Sequence, residues 1–146
     1  MKNPLKYENR EELYGFLIND FGLIKIDEKY DASNFGNFYI TLVADDFWIS
    51  YVNDRSFLDV NITIKMEANH SYTLSFVRDF IYNPEKINEE DKKRNAKRIK
   101  DLNEFFKNDF DKISELFNPI NYMDIKRKID KLLKDKFRKR FPGMID

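Results

Sequence analysis

The chain has 146 residues, 42% of them hydrophobic and 36% charged, with 14 Phe, 8 Tyr and one Trp to build a core. That length suits one domain over residues 1–146, and so aromatic a composition excludes intrinsic disorder, because disordered chains lack the apolar surface to offset ordering entropy. There is no cysteine, which excludes disulfides, thiolate catalysis and cysteine-based zinc or iron–sulfur sites.

The formal net charge is zero, but it divides unevenly along the chain. Residues 1–91 carry 9 basic and 17 acidic side chains, and residues 92–146 carry 17 basic and 9 acidic ones. Such a split either draws two parts of one fold together or marks a docking surface for a charged partner. No stretch approaches the roughly 18–20 apolar residues of a membrane span. The N-terminal run from Met1 to Glu8 has no apolar core of the signal-peptide kind, so the expectation is a soluble, cytoplasmic protein that does not enter membranes.

The first element is a short helix. Asn9 suits its N-cap, Glu11 and Glu12 place negative charge in the first turn, and Gly22 suits its end. Leu13, Phe16, Leu17 and Phe21 recur at spacings of three and four, which makes one apolar stripe. From Leu23 onward the period changes to two. Leu23 to Tyr30 reads as a strand with Ile24 and Ile26 on one face, and Asp31 to Gly36 as a polar turn.

Phe38, Ile40 and Leu42 then alternate with Tyr39 and Thr41. Phe47, Ile49 and Tyr51 alternate with Trp48, Ser50 and Val52. Leu58, Val60 and Ile62 alternate with Phe57, Asp59 and Asn61. Turns at Ala44–Asp46 and Asn53–Ser56 join these runs, so they form an antiparallel meander of three or four strands.

The remainder reads as three or four helices. Ser71 to Tyr82 fits both periods, and Ser71 as a candidate N-cap favours a helix. A charged helix from about Glu89 to Lys107 carries Ile99, Leu102, Phe105 and Phe106. A new helix restarts at Asp109 or Asp111 and stops before Pro119. The last helix runs from Tyr122 to about Phe141, with Ile125, Ile129, Leu132, Leu133 and Phe137 on one stripe. The expected class is therefore α+β: N-terminal helix, antiparallel meander, C-terminal helices.

Chemistry-bearing motifs are missing. There is no phosphate-binding glycine loop, no H-E-x-x-H, no EF-hand loop and no G-x-S-x-G elbow. The single histidine, His70, falls between a strand and a helix, where a loop or capping role is expected before a catalytic one. Asp45 and Asp46 sit in a turn that favours Asp anyway. Glu89, Glu90 and Asp91 sit where a helix begins, which the helix dipole explains. No catalytic residue, metal ligand or cofactor is assigned.

Two surfaces remain as candidates. The last helix carries nine cations between Lys126 and Arg140 against Asp130 and Asp135. A face holding Lys126, Arg127, Lys131, Lys134 and Arg138 could neutralise phosphates, although a solvated amphipathic helix has the same appearance. The sheet offers the other. Opposite its apolar face stand Tyr39, Thr41, Trp48, Ser50, Phe57, Asp59 and Asn61, with Asp45, Asp46 and Asp54 in the turns. Aromatic side chains among small polar ones are typical of protein–protein contact centres.

The order helix, meander, helices, with Phe47-Trp48-Ile49-Ser50-Tyr51-Val52-Asn53-Asp54-Arg55-Ser56-Phe57-Leu58-Asp59-Val60 at its centre, resembles small uncharacterised bacterial proteins found beside polymorphic toxins and regarded as immunity proteins. The likeness rests on a hairpin whose turn carries Asp-Arg and on an alternating strand that opens on an aromatic. It implies a protein that binds and neutralises a cognate toxin domain without catalysis. The acidic first half suits occlusion of a basic toxin site.

The leading expectation is thus a protein-binding domain using Asp45, Asp46, Trp48, Asp54 and Asp59. The alternative is a nucleic-acid-binding accessory protein using the last helix. An enzyme of unrecognised type comes third.

Overall fold

The computed structural model describes residues 6–87 and 95–143. Helix α1 spans Glu11–Phe21, and the meander follows as β1 (Ile24–Asp31), β2 (Asn37–Val43), β3 (Phe47–Asp54) and β4 (Phe57–Ile64). A short fifth strand, β5 (Ser71–Thr73), precedes α2 (Leu74–Tyr82), α3 (Asn95–Phe117) and α4 (Tyr122–Arg140). The fold is α+β, and its sheet has five antiparallel strands in the order β1-β2-β3-β4-β5.

Helix α1 ends as its glycine requires. Gly22 is left-handed at φ 73°, and its N–H donates to Ile18 O at 3.2 Å while that of Leu23 donates to Leu17 O at 3.0 Å. The Gly22 bond is that of a left-handed αL cap, and both bonds satisfy carbonyls of the last helical turn. The N-cap expectation was misplaced: Arg10 occupies that position without a side-chain cap, and Asn9 closes a preceding 3-10 turn, Tyr7–Asn9.

Strict alternation buries one face of the sheet. Phe38, Ile40 and Leu42 of β2, Phe47, Ile49 and Tyr51 of β3, and Leu58, Val60, Ile62 and Ile64 of β4 are all buried. They meet Leu13, Tyr14 and Leu17 of α1, Leu74 and Val77 of α2, and Ile99, Leu102, Phe106, Ile113 and Phe117 of α3 in one continuous cluster. Burying a side chain of this size contributes about 1.5–3 kcal/mol, so this layer of contacts carries the fold. Asn103 pins three elements together. It accepts from Tyr51 Oη at 2.9 Å and donates to Leu13 O at 3.0 Å. Burial pushes the Tyr51 phenol well above its ordinary pKa, so it stays a neutral donor.

Three expectations need correction. The sheet has five strands, because Ile24–Asp31 and Ser71–Thr73 both join it. The ambiguous 71–82 segment is both things in turn: Ser71 to Thr73 pair with Thr63 to Asn61, then Leu74–Tyr82 is helical. Its cap is Thr73, which accepts from Phe76 N at 3.2 Å, and not Ser71.

The two helices expected on either side of residue 109 are both present, joined end to end in α3 by a kink where Asp109 is non-helical at φ −117°. Tyr82 Oη donates to Asp109 Oδ1 at 2.5 Å, and Lys112 Nζ donates to Tyr82 Oη at 3.2 Å. The kink is thereby tied to the end of α2. The expected start of this helix at Glu89, with Glu90 and Asp91, lies outside the described residues.

Candidate functional site

All four helices lie on the apolar side of the sheet, and the opposite face meets solvent. Trp48, Ser50, Val52, Asp59 and Asn61 are half-buried there, and Tyr39 is exposed. The register sets Thr41 beside Ser50 and Trp48 beside Thr63. Hydroxyls pair across strands, Thr41 with Ser50 at 3.0 Å and Thr63 with Ser71 at 2.7 Å.

The five sequence-derived sheet residues do not form one cluster. Asp45 and Asp46 sit at the β2–β3 turn, where Asp46 O accepts from Lys65 N at 3.1 Å. Trp48 follows at the same end, with Lys65 Nζ 5.9 Å above its ring. Asp54 closes the far end of β3 and accepts from Asn37 Nδ2 at 3.2 Å. The length of β3 separates the two ends by about 27 Å. Asp59 lies on the open face nearer Asp54, 3.3 Å from Arg98 Nη1.

The far end has features that the sequence did not single out. Every non-glycine residue of positive φ among the described residues is there: Phe35 at 57°, Arg55 at 52° and Ser56 at 66°. Arg55 and Ser56 make a two-residue hairpin with both residues left-handed, where Asn-Gly is the usual choice. The conformation is held from outside. Arg55 N donates to Asn37 Oδ1 at 2.7 Å, and Asn95 Nδ2 donates to Ser56 O at 2.8 Å. Left-handed backbone at non-glycine residues costs of order 1–3 kcal/mol and concentrates at functional sites. Ser56→Gly is accordingly expected to raise stability by about 1 kcal/mol, measurable as a higher denaturation midpoint. An unchanged or lower midpoint would mean that the turn is not strained.

Large aromatics crowd this end and remain exposed: Phe35 is 70% exposed, Phe57 55% and Tyr30 45%. The Arg55 guanidinium lies 5.7 Å from the Phe35 ring centre, and Tyr7 stacks on Tyr30 at 4.0 Å. Between them lies an open groove of about 640 Å³ lined by Lys6, Tyr7, Glu8, Tyr30, Phe35, Gly36 and Ser56. Tyr7 is backed by Arg10, whose guanidinium lies 4.2 Å from its ring centre and whose Nε donates to Glu28 Oε1 at 2.7 Å. Burial works against the Glu28 charge, but hydrogen bonds from Arg10 and Tyr7 outweigh it and hold the carboxyl below its usual range. The one readable signal was Phe35 itself, an aromatic inside a polar turn.

At the other end the C-terminal helix begins. Lys126 Nζ donates to both Glu67 oxygens, at 2.7 and 2.8 Å, and this pairing holds the Glu67 carboxyl below its ordinary pKa. The buried Tyr122 donates to Glu67 Oε2 at 3.4 Å. His70 sits in the β4–β5 loop, its N–H donating to Glu67 O at 2.8 Å and its ring against Tyr72 at 4.9 Å. Lys126 is thus turned inward, whereas Arg127, Lys131, Lys134 and Arg138 are exposed.

Among the described residues no group of three or more His, Asp or Glu is arranged to hold a metal ion. Among them, too, no helix is long and apolar enough to cross a membrane. No protein family, curated protein or solved structure matches the chain.

Proposed function

We propose that this chain is a non-catalytic protein-binding domain of the immunity type, which neutralises a toxin domain by covering its working surface. The contact is assigned to the far end of the sheet: Phe35, Arg55, Ser56 and Phe57 around the groove, flanked by Asp54 and Asp59. The supporting observation is the coincidence there of left-handed non-glycine backbone with the exposed rings of Phe35, Phe57 and Tyr30.

Neither feature favours the isolated fold. Strained turns cost stability, and large exposed rings gain nothing from water. A partner that buries the rings would offset both, since contact energy concentrates in a few aromatic and arginine anchors surrounded by polar groups. Asp54 adds acidic character that suits a basic partner surface and speeds encounter, while the Asp59 charge is met by Arg98 at 3.3 Å. Asp45, Asp46 and Trp48 lie at the opposite end of β3 from Asp54, away from the exposed rings.

The test is the affinity for the toxin-like product of an adjacent gene, measured by calorimetry at two salt concentrations. Phe35→Ser with Phe57→Ser is expected to weaken binding by about 30-fold or more, the scale of losing a contact centre. Asp54→Lys is expected to reduce the salt dependence as well. If Asp45→Lys with Asp46→Lys abolishes binding while the ring substitutions leave it intact, the contact lies at the opposite end and this assignment is wrong.

A further inference from the structure

Strand β1 is an edge of the sheet. Its one strand neighbour is β2, and all of its residues but Glu28 are exposed. Its two halves differ. A register shift between Lys25 and Asp27 puts a bulge in the first half, whereas residues 27–31 pair one for one with residues 41–37 of β2. In that regular half Glu28 and Tyr30 stand beside Ile40 and Phe38, on the helix side of the sheet. Asp27, Lys29 and Asp31 stand beside Thr41, Tyr39 and Asn37, on the open side. Tyr7 lies over both Tyr30, at 4.0 Å, and Phe38, at 5.7 Å, so it covers the β1–β2 pair from the helix side and does not stand beyond the edge. Among the described residues only β2 pairs with the backbone of residues 27–30.

Bulges and charges are the ordinary means of blunting an edge, and they account for part of β1. The bulge disturbs the first half. In the second, a two-fold axis centred on Asp27, Glu28 or Lys29 would set that charge against its own copy, and like charges directly opposite destabilise a strand pair. Pairing with a second copy is therefore opposed. Neither device explains why the regular half runs into the groove, whose wall includes Tyr30 of the same strand. An open backbone edge beside a pocket is the arrangement that strand addition uses. The main chain supplies affinity there, and pockets for alternate side chains supply selection.

We infer that an extended, basic segment of the partner adds to residues 27–31 as an antiparallel sixth strand. The inference rests on the protein-binding reading above and adds the form of the partner. A residue opposite Tyr30 projects to the helix side, as Tyr30 does, and an aromatic side chain there enters the groove between Tyr30 and Phe35. Residues opposite Asp27 and Asp31 face two carboxylates, so lysine or arginine suits both places. The residue between them faces Lys29 and is best uncharged.

The probe is a synthetic heptapeptide with blocked ends, in the order threonine, lysine, phenylalanine, threonine, valine, lysine, threonine. It is titrated to millimolar concentration into the unaltered, isotope-labelled protein and followed by amide NMR. Shifts are expected at residues 27–31 and at Phe35. Exchanging the phenylalanine for alanine is expected to weaken binding about tenfold, the scale of one buried side chain. Exchanging both lysines for glutamate is expected to weaken it about fivefold. Two further peptides are N-methylated on alternate residues, one on each set. One is expected to bind as before and the other not at all, because an added strand donates from one of its edges only. A side-chain contact would not tell the two apart. No shift at residues 27–31 overturns the inference, as does equal binding of the two methylated peptides. If the peptide fails while Phe35→Ser with Phe57→Ser still weakens binding of the toxin-like gene product, the inference falls and the protein-binding reading stands. Product binding that ignores those two substitutions overturns both.

Discussion

Phe106→Ala is expected to remove about 4 kcal/mol of stability, the middle of the range for deleting a buried phenyl ring. Phe106 is fully buried and stands where α3 meets the sheet. Its ring lies edge-on to Phe47 at 6.2 Å and to Phe110 at 5.4 Å. Phe47 in turn meets Phe117 edge-on at 6.3 Å, and Phe117 stacks on Tyr72 at 6.0 Å.

The cavity left by the ring would be bounded on one side by β3, whose backbone is hydrogen-bonded to strands on both sides. That wall cannot collapse inward, so the lost contacts are not recovered. Domains of this kind have only 5–15 kcal/mol in total, and the variant would sit near the edge of folding. Urea titration followed by fluorescence gives the number. Phe106→Leu, which fills most of the space, should cost well under half as much, whereas Phe35→Ala should cost almost nothing, its ring being 70% exposed. A loss below about 2 kcal/mol for Phe106→Ala would show that the core closes over the gap.

Legibility followed periodicity. Phe38-Ile40-Leu42 and Leu58-Val60-Ile62 declared both their strands and their buried face, because a one-residue slip would expose the whole set. The same alternation placed Trp48, Asp59 and Asn61 on the outer face. Gly22 was readable because a left-handed stop favours glycine. Ser71–Thr73 was not, since three residues carry no period and two hydroxyl side chains competed as the cap.

The site was harder for a different reason. Adjacency in sequence put Asp45, Asp46, Trp48 and Asp54 together, but an extended strand carries its two ends far apart. Phe35, Arg55 and Ser56 are brought together by hairpins, and their left-handed backbone leaves no trace in the hydrophobic pattern. Arg98 was invisible for the opposite reason. Within the basic run Lys97-Arg98 it reads as a surface residue, yet it is 5% exposed.

Arg98→Ala is the second substitution expected to do large damage, about 3 kcal/mol, because it strips several acceptors of one shared donor. Strand β5 pairs only with Asn61 to Thr63 of β4, so β4 lacks that neighbour along Phe57–Val60. The Arg98 guanidinium fills the place. It donates to Leu58 O, to Asn95 Oδ1 at 2.9 Å and to Asp59 Oδ1 at 3.3 Å, and it lies 4.7 Å from the Phe57 ring centre.

Truncation would leave the Leu58 carbonyl facing a cavity and Asp59 without its cation. Asp59 is 27% exposed, so water recovers part of that loss and the damage stays below that of the most severe buried-pair cases. Arg98→Lys should rescue little, since a single ammonium cannot reach a carbonyl, a carboxylate and an amide oxygen at once. The damage should also reach the proposed contact, because Phe57 and the Ser56 turn lean on Arg98 and its neighbour Asn95. Amide exchange in Arg98→Ala should therefore quicken at residues 57–60 before it does in α1. Should Arg98→Lys match the unaltered protein in both stability and exchange, the planar fork is not what holds this edge.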